Sequence, residues 1–164
     1  MPTIRIETNI QAPIERVFDL SRSIDLHKIS TEHTKEEAIA GVTSGLIGAN
    51  ESVTWRAKHF GVYQTLSSRI TAFDRPHFFL DEQAKGIFKR FKHEHRFHVM
   101  EEGTQMLDIF DYESPLGILG KIADWLFLER YMTKLLMTRN ATIKEFAETD
   151  NWQLVLEQKR STSL

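Results

Sequence analysis

The chain has 164 residues, with 21 Lys and Arg against 23 Asp and Glu, and a formal net charge of −2. That balance leaves no basic footprint, so no nucleic-acid partner is expected. The absence of cysteine excludes disulfides and thiolate chemistry.

A chain of this length buries about 70% of its unfolded surface as one domain, and no repeat or low-complexity linker divides it. Met1-Pro2-Thr3-Ile4-Arg5 lacks the apolar length of a signal peptide. No apolar run of about 18 residues offers a membrane span. The expectation is a cytoplasmic protein that does not span a membrane, either a monomer or a weak homodimer.

Residues 3–10 alternate Ile4, Ile6 and Ile10 against Arg5, Glu7 and Asn9, the period of a strand with one buried face. Pro13 stands where a helix would begin, and Ile14, Val17 and Phe18 make an apolar face at helical steps. A second short helix is expected over residues 24–29. Strand-like runs follow at 35–42, 51–60, 62–73, 78–83, 88–100 and 104–112. Gly45, Gly48, the Asp74-Arg75-Pro76 step, Gly86 and Glu102-Gly103 punctuate them. Connections this short predict antiparallel hairpins.

After Pro115, residues 116–146 read as one long helix. Leu119, Ile122, Ala123 and Leu126, then Leu128, Met132, Leu135, Leu136, Ile143 and Phe146, recur at three- and four-residue steps. Such a helix is roughly 45 Å long, and only the strands are wide enough to cover its apolar stripe. The predicted class is α+β: a curved antiparallel seven-stranded sheet wrapped around a long C-terminal helix, with two short helices after the first strand. Residues 1–148 form the domain. The tail, 149–164, carries Trp152, Leu154, Val155 and Leu156, and its docking is left open.

The opening strand with Ala12-Pro13-Ile14-Glu15-Arg16-Val17-Phe18-Asp19-Leu20 resembles the start of the START- and plant-allergen-related helix-grip superfamily, SRPBCC. Phe79-Leu80-Asp81-Glu82-Gln83, Gly86-Ile87-Phe88, His93-Glu94-His95-Arg96-Phe97, Gly103-Thr104-Gln105-Met106-Leu107-Asp108 and Tyr112-Glu113-Ser114-Pro115-Leu116-Gly117 resemble a poorly characterised bacterial ligand-binding branch of it. The resemblance covers residues 3 to about 147. It departs at Ile87, where proline is expected, and at Phe91, where tryptophan is expected. It implies a deep, largely apolar cavity between sheet and helix, and it implies no reaction.

Within 88–100, Phe91, His93, His95, Phe97 and Val99 share one face, opposite the charged face of Arg90, Lys92, Glu94, Arg96 and His98. The first face should point inward, and it holds two histidines among phenylalanines. A two-residue turn at Glu102-Gly103 pairs His95 with Phe110 and His93 with Tyr112, which leaves Asp108 diagonal to His95. The same parity turns Val53, Trp55, Ala57 and His59 inward.

His93, His95 and Asp108, joined by His59 or Tyr112, are therefore the sharpest chemical signal. They read as a metal site, as acid–base groups, or as buried polar groups that satisfy each other and orient a ligand. The expectation adopted is the last: His95 pairs with Asp108, with no metal and no cofactor. On that reading Asp108→Asn keeps the fold and weakens ligand binding by about 1–3 kcal/mol.

Arg139, in helical step with Leu135, Leu136 and Ile143, either projects into the cavity or snorkels past the sheet rim. Asp81-Glu82-Gln83 either lines a cavity mouth or forms a solvated strand end, and the second is the expectation adopted. Trp125, Phe127, Leu128 and Tyr131 read as core, a cavity gate, or a dimer or membrane-surface contact, with core the expectation adopted, beside Gly117 and Gly120, which weaken that end of the helix.

The expected ligand-contacting set is Trp55, His59, Phe91, His93, His95, Phe97, Met106, Asp108, Phe110, Tyr112, Leu135 and Arg139. The function expected is binding or transport of a small hydrophobic molecule: a lipid, isoprenoid, polyketide or aromatic. The alternatives are a cyclase, dehydratase or hydrolase using His93, His95 and Asp108, and a partner-binding accessory module.

Overall fold

Period-two alternation builds the sheet that carries everything else. The computed structural model describes residues 2–114 and 127–157. Its strands are β1 (Thr3–Ile10), β2 (Glu37–Gly41), β3 (Ser52–His59), β4 (Val62–Asp74), β5 (Phe78–Lys85), β6 (Arg90–Met100) and β7 (Gly103–Glu113). They form one antiparallel sheet in the order β1-β7-β6-β5-β4-β3-β2. Every sequential pair from β2 to β7 is a hairpin neighbour. The one long crossing runs from β1 to β2 through α1 (Ile14–Ser21), α2 (Ile24–Ser30) and a short turn of 3-10 helix.

Both short helices have local causes. Pro13 precedes α1, whose Val17 and Phe18 are fully buried. Ser23 caps α2 by accepting a hydrogen bond from the Leu26 amide at 3.2 Å.

The long helix α3 (Glu129–Glu148) lies across the sheet, with Leu136, Arg139, Asn140, Ile143 and Ala147 buried. Its far end is followed by α4 (Trp152–Leu156), whose Trp152, Val155 and Leu156 pack against the core. The Arg16 guanidinium lies 4.4 Å from the Trp152 ring centre, so this part of the tail is docked.

Two apolar clusters fill the inside. One sits under α1, where Phe18 meets Phe73, Phe79 and Phe97 edge-on at 5.4, 5.5 and 5.2 Å. The other gathers Phe88, Phe91, Phe110, Tyr112 and Leu136.

The end of the long helix is corrected from 146 to Glu148, while its expected start at 116 lies outside the described residues. Leu119, Ile122, Ala123, Leu126, Trp125, Gly117 and Gly120 lie outside the described residues. Phe127 is not core but 65% exposed.

The β6–β7 register is also shifted: Met100 pairs with Gly103, so the turn is Glu101-Glu102. Gly103 opens β7 at φ 101°, and a Cβ there would collide with the Ile10 carbonyl. The glycine thus serves the close approach of β1, not the turn. Because the slip is two residues, every side chain keeps its face.

Among the described residues, no helix is long and apolar enough to cross a membrane.

Candidate functional site: a polar band beside a cavity

Between the two apolar clusters the inner face turns polar at the same level on strand after strand. Along β6 the inward residues are Phe91, His93, His95 and Phe97, and along β7 they are Met106, Asp108, Phe110 and Tyr112. The observed register places His95 directly opposite Asp108, and His93 opposite both Phe110 and Asp81. From above, α3 contributes Arg139 and Asn140 to the same level.

Asp108 is the hub. Its Oδ1 lies 3.0 Å from His93 Nε2 and 2.7 Å from His95 Nδ1, the second contact angled away from hydrogen-bond alignment. Asn140 donates to Oδ2 at 2.7 Å, and Arg139 Nη1 stands 3.6 Å from Oδ1. Arg139 also donates to the Ser21 carbonyl at 2.7 Å and to Asn140 Oδ1 at 3.4 Å.

Burial opposes the charge on Asp108, yet the His93 hydrogen bond and the close His95 ring together outweigh it and hold the carboxyl well below its ordinary range. Burial likewise pushes His93 down. It pushes His95 further, helped by the neighbouring His93 ring. Neutral imidazoles beside an ionised Asp108 follow, with Arg139 as the counter-charge.

Beside this band lies a cavity of about 210 Å³. Its apolar wall includes Trp55, Phe79, Phe88, Phe91, Phe110, Leu128, Met132, Leu135 and Leu136. Its polar wall includes His27, Glu36, His59, Gln64, Ser68, Asp81, His93, His95 and Arg139.

Of the expected contact set, Trp55, His59, Phe91, His93, His95, Phe110, Leu135 and Arg139 face this space. Phe97, Met106, Asp108 and Tyr112 do not. They are fully buried, because the inner face continues past both ends of the cavity into filled core. Asp108 stands behind the histidines instead of beside any occupant.

Sequence reasoning missed several members of the site. Asp81, read as part of a solvated strand end, is enclosed in the cavity wall. Burial pushes its carboxyl up to about 6, against the stabilising Ser68 hydroxyl. Its Oδ1 and the Gln64 Oε1 are buried without a hydrogen-bond partner among the described residues. Inward parity along β4, through Gln64, Leu66, Ser68 and Ile70, was the signal for this wall. Asn140 was signalled by its step of four from Leu136 and three to Ile143.

Glu36 and His27 form a pair at 3.3 Å, with the His27 ring 4.3 Å from that of Trp55. At the other rim, His59 Nδ1 and the Tyr131 hydroxyl share a 2.7 Å hydrogen bond that ties β3 to α3.

No family model matches the chain, and no curated protein matches it in sequence. Solved structures do match. TTHA0849 from Thermus thermophilus superposes with a TM-score of 0.72 at 23% identity, over 88% of this chain and 95% of that one. Ginseng major latex-like protein 151 from Panax ginseng gives 0.66 at 13% identity, over 90% and 98%. Ara h 8.0201 gives 0.63 at 12% identity, over 89% and 97%.

This is the helix-grip fold.

Among the described residues, those able to hold a metal ion are His93, His95 and Asp108, whose donor atoms lie within 4.8 Å of one another. The same carboxylate oxygen already has the Arg139 guanidinium at 3.6 Å, which supplies positive charge where an ion would sit. The arrangement presents two neutral imidazole rings to the cavity and fixes them from behind.

Proposed function

We propose that this helix-grip protein binds a small hydrophobic molecule, with aromatic character and one polar end, in the cavity between sheet and α3. The observation that carries the reading is the unfilled space of about 210 Å³ walled by Trp55, Phe79, Phe88, Phe91 and Phe110. A dry cavity of roughly 150 Å³ admits benzene, so a molecule of one or two rings is of the right size. Phenyl and indole walls supply area, and the His93–His95–Arg139 side fixes orientation. Asp108 is charge-paired within the chain by Arg139 and hydrogen-bonded by His93 and Asn140.

Native mass spectrometry of the freshly purified protein, with a melting-temperature screen of aromatic and aliphatic ligands, tests this. A co-purifying small molecule or a ligand-dependent rise in melting temperature is the expected result. A protein that carries none and responds to none would end the reading.

The His93 and His95 rings at the cavity wall, oriented by an ionised carboxylate, also favour a second reading, acid–base catalysis on the bound molecule. The two readings separate by incubation. A carrier returns its ligand chemically unchanged, whereas an enzyme converts it and loses that conversion in His93→Gln or His95→Gln.

A further inference from the structure

Large apolar side chains left in water collect at one end of the sheet. Five of the eleven that are exposed among the described residues are Phe60, Val62, Tyr63, Ile87 and Phe127. The first three belong to the β3–β4 hairpin, whose two-residue turn is Phe60-Gly61. Ile87 stands in the loop between β5 and β6, and Phe127 just before α3. Antiparallel pairing brings the end of β3, the start of β4, the end of β5 and the start of β6 to the same edge. The Phe60 ring rests on Tyr131, one helical turn from Phe127. Phe60 and Ile87 also line the cavity, so its mouth lies among these side chains.

The hairpin tip is the telling case. Phe60 and Gly61 hold φ of 51° and 79°, the left-handed pair that a two-residue turn requires and that asparagine or glycine fills most easily. A phenylalanine in that conformation is strained, and this one is 69% exposed. Neither the turn nor the core calls for a ring there. Around the tip, Lys58, Lys85 and Arg130 are exposed cations without an ion-pair partner among the described residues, with Glu129 as a neighbouring acid. This local excess of positive charge runs against the chain's net −2.

We infer that this end of the molecule docks on an anionic lipid bilayer, with Phe60, Val62 and Ile87 entering the interface and the cations facing the headgroups. The apolar groups stand on a hairpin tip, a loop and a helix start around an opening. So divided and convex a surface suits a fluid interface better than a flat protein face. Each cation near such a bilayer adds attraction that salt weakens. Docked this way, the cavity mouth faces the acyl region, and an apolar occupant enters without crossing water.

Co-sedimentation at low salt with vesicles of phosphatidylcholine, alone or with about 30% phosphatidylglycerol, tests the inference. The protein should bind the anionic vesicles about fivefold more tightly than the neutral ones, and added salt should weaken that binding. Phe60→Asn gives the turn a residue it prefers. It should melt at or above the wild-type temperature while vesicle affinity falls about tenfold. Lys58→Glu combined with Lys85→Glu should lower affinity for anionic vesicles by a similar factor and leave neutral ones unchanged.

No binding to anionic vesicles, equal binding to both compositions, or binding untouched by Phe60→Asn would each overturn the inference. So would a dimer, seen by light scattering, that Phe60→Asn dissolves, since the patch would then belong to a second copy of the chain. The cavity reading is tested separately, by ligand binding in vesicle-free solution, and survives each of these outcomes.

Discussion

Two buried carboxylates lie on the inner face of the same sheet, on strands separated only by β6, and their surroundings are opposite. Asp108 is ringed by His93, His95, Asn140 and Arg139, and its carboxyl is held well below the ordinary range. Asp81 has a serine hydroxyl and an orphaned oxygen, and its carboxyl is pushed up to about 6. The first belongs to the architecture: its partners come from β6 and α3, and it locks the helix onto the sheet. The second is left in a state that folding alone does not favour. A polar group fully satisfied by its own chain is structural. One left without a partner, as Asp81 Oδ1 is among the described residues, opposes folding instead.

The largest expected effect tests the structural half. Asp108→Ala leaves a buried guanidinium without its counter-charge and should cost about 3–5 kcal/mol of unfolding free energy in urea titrations. A loss below about 1 kcal/mol would show that Arg139 does not depend on Asp108. Asp108→Asn should therefore act on the fold as well as on the ligand binding expected from sequence.

The second effect has the opposite sign. The Asp81 carboxyl rises from an ordinary 3.8 to about 6, so at neutral pH its burial opposes folding. At about 1.36 kcal/mol per pKa unit, Asp81→Asn should stabilise the protein by up to about 3 kcal/mol at pH 7.5. An Asn variant less stable than wild type at that pH would show that the carboxylate has a partner after all.

A third measurement separates the regions by pH. His93 and His95 are depressed below 6.5, so the unfolded chain takes up protons first and stability falls as pH drops below that value. Asp81 does the reverse: native protein takes the proton as pH falls through about 6, and stability rises down to about 3.8. The slopes partly cancel in wild type. Urea midpoints of Asp81→Asn between pH 7.5 and 5 should therefore fall more steeply than those of wild type, and parallel curves would contradict the assignment.

The smallest effect is at the rim. Tyr131→Phe removes the 2.7 Å bond to His59 and should cost at most about 1 kcal/mol by thermal melting.

Much of this was legible in the sequence because it depends on parity. Alternation in β6 fixed which face His93 and His95 occupy, and a register slip of two residues could not undo that. Parity does not say where along a face packing stops and open space begins. Phe97, Met106 and Tyr112 therefore looked equivalent to Phe91 and Phe110, although α1 and Phe88 fill the space over them. Asp81 was missed for a different reason. Three polar residues in succession, Asp81-Glu82-Gln83, read as solvent-facing when the inward one is screened by strands on both sides. Arg139 was recognised by helical spacing, but only the third dimension shows that it reaches Asp108 instead of solvent.

The two ends of α3 are fastened very differently. At the carboxyl end, Glu148 accepts from the Gln11 amide at 2.8 Å, Lys144 reaches the Asn9 carbonyl at 2.5 Å, and Arg16 donates to the Ala147 carbonyl at 3.0 Å while covering Trp152. At the amino end, the side-chain hydrogen bond to the sheet among the described residues is that of Tyr131 to His59, with Phe60 resting on the tyrosine ring at 4.7 Å. Among the described residues, α3 is held beside the chain's first strand at its carboxyl end and over the cavity by the Tyr131 phenol at its amino end. Backbone amides of residues 131–135 should accordingly exchange with solvent faster than those of residues 139–147.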